Sequence, residues 1–276
     1  MKITFVGLGL IGGSMAKALR LSGDHEIIAM DRDEKVLLDA ISAGVISRKA
    51  GAADLADSDV VYLCLYPEAV LKFAEEHRKD FGKNTIVTDV CGIKSAVNPV
   101  LAKIAEEEGF TFIGAHPMAG KESNSFSSSD AALFLGASYI LMGEKADDPR
   151  AYDILETLAK EMGFGRFVYT DPEEHDRMIA FTSQLPHVLA CAYVMSPQCE
   201  NHQGFSAGSY RDVSRVAKIN AELWTDLFLS NQNALVAELD ILSQNIDKLK
   251  EAVRKGDEKT LCGLLAEASE IKRKFG

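Results

Sequence analysis

The chain has 276 residues, enough for one large domain or two of ordinary size. Apolar residues make up 47% and charged residues 26%, a balance that excludes the disordered and fibrous classes. A net charge of −11 argues against nucleic acid and anionic membrane surfaces as partners, and it obliges any anionic substrate to meet a local Arg or Lys.

Lys2 and the apolar run behind it resemble a short signal peptide, but the glycine spacing inside the run explains it better. Runs rich in β-branched and aromatic residues at 3–6, 26–30, 60–65, 85–88, 111–113 and 138–142 predict strands. Between them, residues 11–21, 34–42, 67–78, 96–107 and 149–162 carry helical patterns, with Pro67 in a first turn where proline costs nothing. Strand–helix alternation of this kind predicts a doubly wound parallel sheet covered on both faces. After one more strand at 167–169, the pattern changes near Thr170. Residues 178–195 predict a long apolar helix bent near Pro186, while 221–250 and 258–274 predict continuous amphipathic helices. The expected organisation is an α/β domain over 1–169 and an all-α domain over 170–276. Long apolar helices in so small a domain need a partner surface, which predicts a homodimer. Residues 123–130, S-N-S-F-S-S-S-D, read as a mobile lid.

No stretch approaches the ~20 apolar residues of a membrane span. The five cysteines, Cys64, Cys91, Cys191, Cys199 and Cys262, form no C-x-x-C pair or zinc-type spacing. Free, mostly buried thiols in a reducing cytoplasm, with no metal site, are expected.

The N-terminal strand runs into a G-x-G-x-x-G pattern at Gly7, Gly9 and Gly12. Gly7 permits a tight turn, Gly9 admits a pyrophosphate to the backbone, and Gly12 allows close helix packing. With Leu10 and Ile11 they open a helix whose first amides suit phosphate. Asp31, ending the second strand, would accept from a ribose 2′-hydroxyl and repel a 2′-phosphate, favouring NAD over NADP; the rival reading is a turn with a capping Asp. Arg32 weakens the case for NAD alone, because a 2′-phosphate would use it.

Residues 114–123 read G-A-H-P-M-A-G-K-E-S and place His116 in a glycine-flanked loop after a strand. An imidazole titrates near neutrality, so a fixed His there is either a proton acceptor or merely a strand-end cap. Residues 89–95, D-V-C-G-I-K-S, follow another strand and should share the ligand-binding carboxyl edge of the sheet. There Cys91 reads as a buried thiol rather than a nucleophile, and Lys94 as a surface charge. In the helical half, Ser183-Gln184-Leu185-Pro186-His187 sets a histidine in an apolar helix, where a satisfied core His is the better reading. Arg211 and Arg215, four residues apart in Y-R-D-V-S-R-V-A, are either a solvated stripe or a carboxylate site. Arg215, among Val213, Val216 and Ala217, is expected to bury its stem and so to need an anion. Trp224, the single tryptophan, is core or pocket wall.

The glycine segment, the decapeptide holding His116, S-Q-L-P-H and Y-R-D-V-S-R-V-A with Trp224 beyond it resemble the prephenate dehydrogenase family, in the same order along nearly the whole chain. The resemblance implies a Rossmann-type domain followed by a helical dimerisation domain. It also implies hydride transfer from ring C4 of prephenate to NAD, with loss of CO₂ to give 4-hydroxyphenylpyruvate. His116 would accept from the C4 hydroxyl and Arg215 would hold a substrate carboxylate, with His187, Ser183 and Trp224 beside it. Gly92 stands where some members carry a serine able to reach that hydroxyl, which leaves His116 to act with a water or with Lys94. Gln184 stands where others carry a histidine. Arogenate as substrate, a β-hydroxyacid dehydrogenase using a lysine in place of His116, and a non-catalytic NAD(H)-sensing module stand as alternatives.

Overall fold

The computed structural model describes residues 1–121 and 125–275. Glu122 and Ser123 of the decapeptide, and the first two residues of the serine-rich patch, therefore lie outside the described residues. In chain order the elements begin β1 (Lys2–Val6), α1 (Leu10–Ser22), β2 (Glu26–Met30), α2 (Glu34–Ser42), β3 (Arg48–Lys49), α3 (Ala52–Ala56) and β4 (Val60–Leu63). They continue with α4 (Pro67–Glu76), β5 (Ile86–Asp89), α5 (Asn98–Glu108), β6 (Thr111–Phe112), β7 (Ala115–Pro117), β8 (Ser138–Met142), α6 (Pro149–Glu161) and β9 (Arg166–Thr170). Helices α7 (Pro172–Ile179), α8 (Leu185–Val194), α9 (Gly208–Ser214), α10 (Ala221–Ser230), α11 (Gln232–Lys255) and α12 (Glu258–Phe275) complete the chain.

Six strands form one parallel sheet in the order β3-β2-β1-β4-β5-β6. Its strands are buried on both faces because alternate side chains enter two separate cores. Val60 and Tyr62 join the cluster that holds α1, α2 and α6, whereas Val61 and Leu63 join the cluster under α4 and α5. Phe5 stacks on Tyr62 with centroids 5.1 Å apart, tying β1 to β4. The strand order reverses between β1 and β4, and ligands of such sheets bind at that reversal, outside the strand carboxyl ends.

Residues 138–142 do not extend the main sheet. They pair with β7 antiparallel and with β9 parallel in a second, three-stranded sheet, and His116 lies opposite Ile140. His116 is thus on a strand rather than in the expected loop. The patch expected as a mobile lid is packed where it is described. Asp130 N–H donates to Ser14 Oγ at 2.9 Å, and Lys17 Nζ reaches the Ser129 carbonyl at 2.9 Å while lying over the Phe126 ring. These contacts fasten residues 125–130 to α1.

The chain divides into two compact units, residues 1–179 with 218–230, and residues 180–217 with 231–276. The helix expected over 178–195 is preceded by α7 and contains a π-turn at Ala180–Gln184. Pro186 has no N–H to donate back along the helix, and a widened turn absorbs that gap. The helix expected to be continuous over 221–250 is broken at Asn231. That residue is buried, and its amide donates to Gln184 Oε1 at 2.9 Å, so side-chain pairing takes precedence over helix continuity. No described helix is long and apolar enough to cross a membrane.

Candidate active site

The carboxyl ends of β1, β4 and β5 form one continuous surface. Gly7, at a φ of 95°, turns the chain out of β1, and its N–H donates to Met30 O at 2.8 Å. A side chain on Gly12 would strike the Gly7 carbonyl at 2.1 Å and Cys64 just beyond β4, so helix and strand meet as closely as backbone allows. The first turn of α1 has Gly9 as N-cap, no side-chain cap and no acidic residue. The amides of Leu10, Ile11 and Gly12 are therefore placed to receive an anion. Asp31 is oriented by two amides, Leu8 N–H on one oxygen at 2.8 Å and Asp33 N–H on the other at 2.9 Å. Each oxygen keeps a second lone pair for a hydroxyl donor. The capping and ribose readings of Asp31 are thus compatible. Arg32 beside it is exposed. This donor set and this cradle fit a dinucleotide.

Cys91 Sγ approaches the Leu65 carbonyl at 3.8 Å, which brings the loop after β5 against the end of β4. Burial pushes the Cys91 thiol well up, and the adjacent Asp89 carboxylate adds to this, so it is no nucleophile at neutral pH. The next residue is Gly92. A Cβ built there would lie 3.8 Å from His116 Nε2 and 3.7 Å from Leu227 of α10, ordinary contact distances. The glycine turn thus meets Cys64 and Leu65, Leu65 meets Cys91, and the Gly92 that follows lies next to His116.

Lys94 corrects an expectation, being a buried ion-pair partner rather than a surface charge. Its Nζ donates to Asp89 at 2.5 Å and to the Ala115 carbonyl at 2.6 Å, with both charged side chains fully buried. A buried ammonium needs such partners, and these lock the end of β5 to the residue before His116. With those bonds made, Lys94 is not the substrate-facing partner of His116 that the glycine at 92 had suggested.

His116 is half-buried, and its Nδ1 lies 2.9 Å from Nε2 of the buried His175. Nδ1 of His175 lies 2.7 Å from Asp176, whose carboxylate also accepts from Lys94 N–H and Ser95 N–H at 2.8 Å each and from the Ser95 hydroxyl. Burial, the neighbouring His175 and the Lys94 ammonium hold the His116 imidazole well below its ordinary value, only partly opposed by Asp176. His116 is therefore neutral at physiological pH and able to take a proton.

Residues 15–169 match the family model described as prephenate dehydrogenase, nucleotide-binding domain, and residues 171–267 match prephenate dehydrogenase, dimerization domain. The chain belongs to the prephenate dehydrogenase family. Prephenate dehydrogenase of Bacillus subtilis is 30% identical over 94% of this chain and 72% of its own length. The arogenate dehydrogenase of Synechocystis has a TM-score of 0.86 at 27% identity, covering 100% of both chains. Prephenate dehydrogenase of A. aeolicus, solved in complex with hydroxyphenyl propionate and NAD+, has a TM-score of 0.86 at 26% identity, covering 100% of this chain and 98% of that one.

As a member of the prephenate dehydrogenase family the chain is an oxidoreductase built on a nucleotide-binding domain. Within its first compact unit lie the glycine turn, Asp31, Gly92, His116 and Trp224. Trp224 is half-buried on α10, one turn before Leu227 and 5.4 Å from the Phe228 ring. The second unit holds Ser183, His187 and Arg215. The Ser183 carbonyl accepts from His187 Nδ1–H at 2.8 Å, which puts the ring proton of that half-buried histidine on Nδ1. Arg215 departs from expectation because it is exposed rather than half-buried. It starts the 3₁₀ turn Arg215–Ala217 at the end of α9, and Val213 near it is exposed too. No ion pair engages it among the described residues. Lys94, His175 and Asp176 are the residues that sequence reasoning missed. P-E-E-H-D-R at 172–177 matches no motif, and the cluster forms because Asp176 binds the Lys94 and Ser95 amides of the β5 loop.

Proposed function

We propose that this chain converts prephenate to 4-hydroxyphenylpyruvate with NAD+ as acceptor, in the formation of tyrosine, as a cytoplasmic homodimer. Residues 1–169 serve as the dinucleotide domain and residues 170–276 as the substrate and dimerisation domain. The observation that carries this reading is a neutral His116 whose Nε2 lies 3.8 Å from where a Cβ on Gly92 would stand, in a loop that Cys91 brings against the end of β4 beside the glycine cradle. Bound in that cradle, NAD+ supplies the acceptor for the hydride leaving ring C4. The α1 amides at Leu10, Ile11 and Gly12 receive the pyrophosphate, with Gly7 and Gly9 shaping the turn and Asp31 accepting from the ribose. His116 takes the proton of the C4 hydroxyl, and loss of CO₂ aromatises the ring. Arg215, whose guanidinium has no ion pair among the described residues, holds a substrate carboxylate, the attraction that a chain of charge −11 must provide locally. By resemblance to the family, Ser183 and His187 of the second unit and Trp224 of the first are assigned to substrate binding, and the lack of a side chain at Gly92 leaves His116 to act with a water.

Arogenate is the competing substrate, favoured by the likeness to the Synechocystis arogenate dehydrogenase. Exposed Arg32 beside Asp31 keeps NADP+ as the competing cofactor. Initial rates with both substrates and both nicotinamides test the reading together. Prephenate with NAD+ should be fastest; a strong preference for arogenate or NADP+ would replace that part of the proposal. NAD+ binding without turnover of either substrate would leave a sensing module instead.

A further inference from the structure

Two groups beneath His116 touch no surface a substrate could reach, yet they determine which of its nitrogens carries the proton. Asp176 accepts from two backbone amides, a hydroxyl and His175, and these contacts outweigh its burial and bring its carboxyl below the ordinary value. It is therefore an anion, and an anion only accepts. His175 must then carry its proton on Nδ1, facing Asp176 at 2.7 Å. In the neutral ring its Nε2 is left as a lone pair, and that atom lies 2.9 Å from His116 Nδ1. The hydrogen bond between the rings closes only if His116 Nδ1–H is the donor. His116 Nε2 is then a bare lone pair, on the edge of the ring that faces Gly92.

We propose that His175 and Asp176 are positioning residues that fix His116 as its Nδ1–H tautomer and share the positive charge it acquires on taking a proton. This rests on the functional reading above, in which that proton comes from a substrate hydroxyl. The hydroxyl O–H bond breaks, its proton bonds to His116 Nε2, and the imidazolium so formed donates through Nδ1–H to His175. The Asp176 carboxylate balances the charge. Without the pair, an imidazole favours the proton on Nε2, where it would block proton acceptance, the defect that an Asp-to-Asn change causes in a serine protease triad. The charged groups that act on His116 are His175 and Asp176 from α7 and Lys94, paired with Asp89, from the β5 loop; from α10, Leu227 lies nearest to Gly92.

The test is a long-range nitrogen–proton correlation spectrum of holoenzyme carrying ¹⁵N-histidine, with the His116 signals assigned by their loss in His116→Asn. It is paired with kcat and KM for two variants. His175→Leu removes the acceptor, whereas the amide of His175→Gln can both donate to Asp176 and accept from His116. The spectrum is read without substrate, so inactivity on prephenate and arogenate would sink the functional reading and leave the tautomer assignment standing. We expect wild-type His116 protonated on Nδ1. We also expect a shift toward Nε2–H in His175→Leu, with kcat down about 10²-fold at little-changed KM, and substantial recovery of both in His175→Gln. Wild-type His116 protonated on Nε2, a measurement that needs no variant to fold, would overturn the proposal, as would a wild-type kcat in His175→Leu.

Discussion

His116 is held neutral by what surrounds it. Its ordinary value is 6.5, and burial with His175 and Lys94 nearby lowers it well below that. Between the two values the unfolded chain binds a proton that the folded chain refuses. Stability from this residue is therefore complete above about 6.5 and is lost as pH falls below it. Urea melts across that range should show the slope, and His116→Asn should flatten it without touching the losses from carboxylates at lower pH; an unchanged slope would place the titration elsewhere. Arg215 makes a different contribution. With its guanidinium exposed, Arg215→Ala should leave folding intact and raise KM for the anionic substrate about 10²-fold, with NAD+ affinity unchanged. An unaltered KM would dismiss it as the carboxylate clamp. A Cβ at position 92 would meet Leu227 and His116 only at ordinary contact distances of 3.7 and 3.8 Å, so Gly92→Ser should fold normally, and its melting temperature checks this.

At the scale of elements, Lys94 joins β5 to β7 through Asp89 and the Ala115 carbonyl. Lys94→Met would leave Asp89 buried without its counter-ion, and denaturant titration should show a loss of about 3–5 kcal/mol. A loss under 1 kcal/mol would mean that the site relaxes or hydrates. Such long-range pairing explains how unevenly the sequence reveals the fold. Strands β1, β2, β4, β5 and β6 of the main sheet and helices α1, α2, α4 and α5 were legible because each lies in an apolar or periodic run. The glycine turn was legible because its spacing is local. The two-residue β3, the short α3 and the strand bearing His116 were not, since none lies in such a run and their places are set by distant partners. Lys94 looked exposed because nothing near it in the chain announces Asp89, five residues back, as a buried partner. The break at Asn231 depends on Gln184, forty-seven positions away. At the candidate site the sequence singled out His116, whereas its hydrogen bond to His175, and that of His175 to Asp176, exist only once α7 folds beneath the β5 loop.

Over the whole molecule, α11 and α12 each carry a row of exposed apolar residues. Val236, Ile241, Ile246 and Val253 on the first and Leu265, Ile271 and Phe275 on the second are all exposed in the single chain. Apolar faces of that length are stable in water only when covered, and the matched dimerization domain supports a second copy as the cover. Sedimentation should find a dimer, and Ile241→Glu with Leu265→Glu should move it toward monomer; a monomeric wild type would refute the proposed assembly. With a net charge of −11, long-range steering works against an anionic substrate, so if Arg215 is the clamp, affinity should rest on its contact and should change little with salt. The measurement that goes to the centre of this account is single turnover of prephenate by NAD+-saturated enzyme, wild type against His116→Asn, following NADH and 4-hydroxyphenylpyruvate together. The wild type should form both in equal amounts, and the variant should bind both ligands yet react at least about 10²-fold more slowly. A variant that turns over at the wild-type rate would show that the hydroxyl proton leaves by another route.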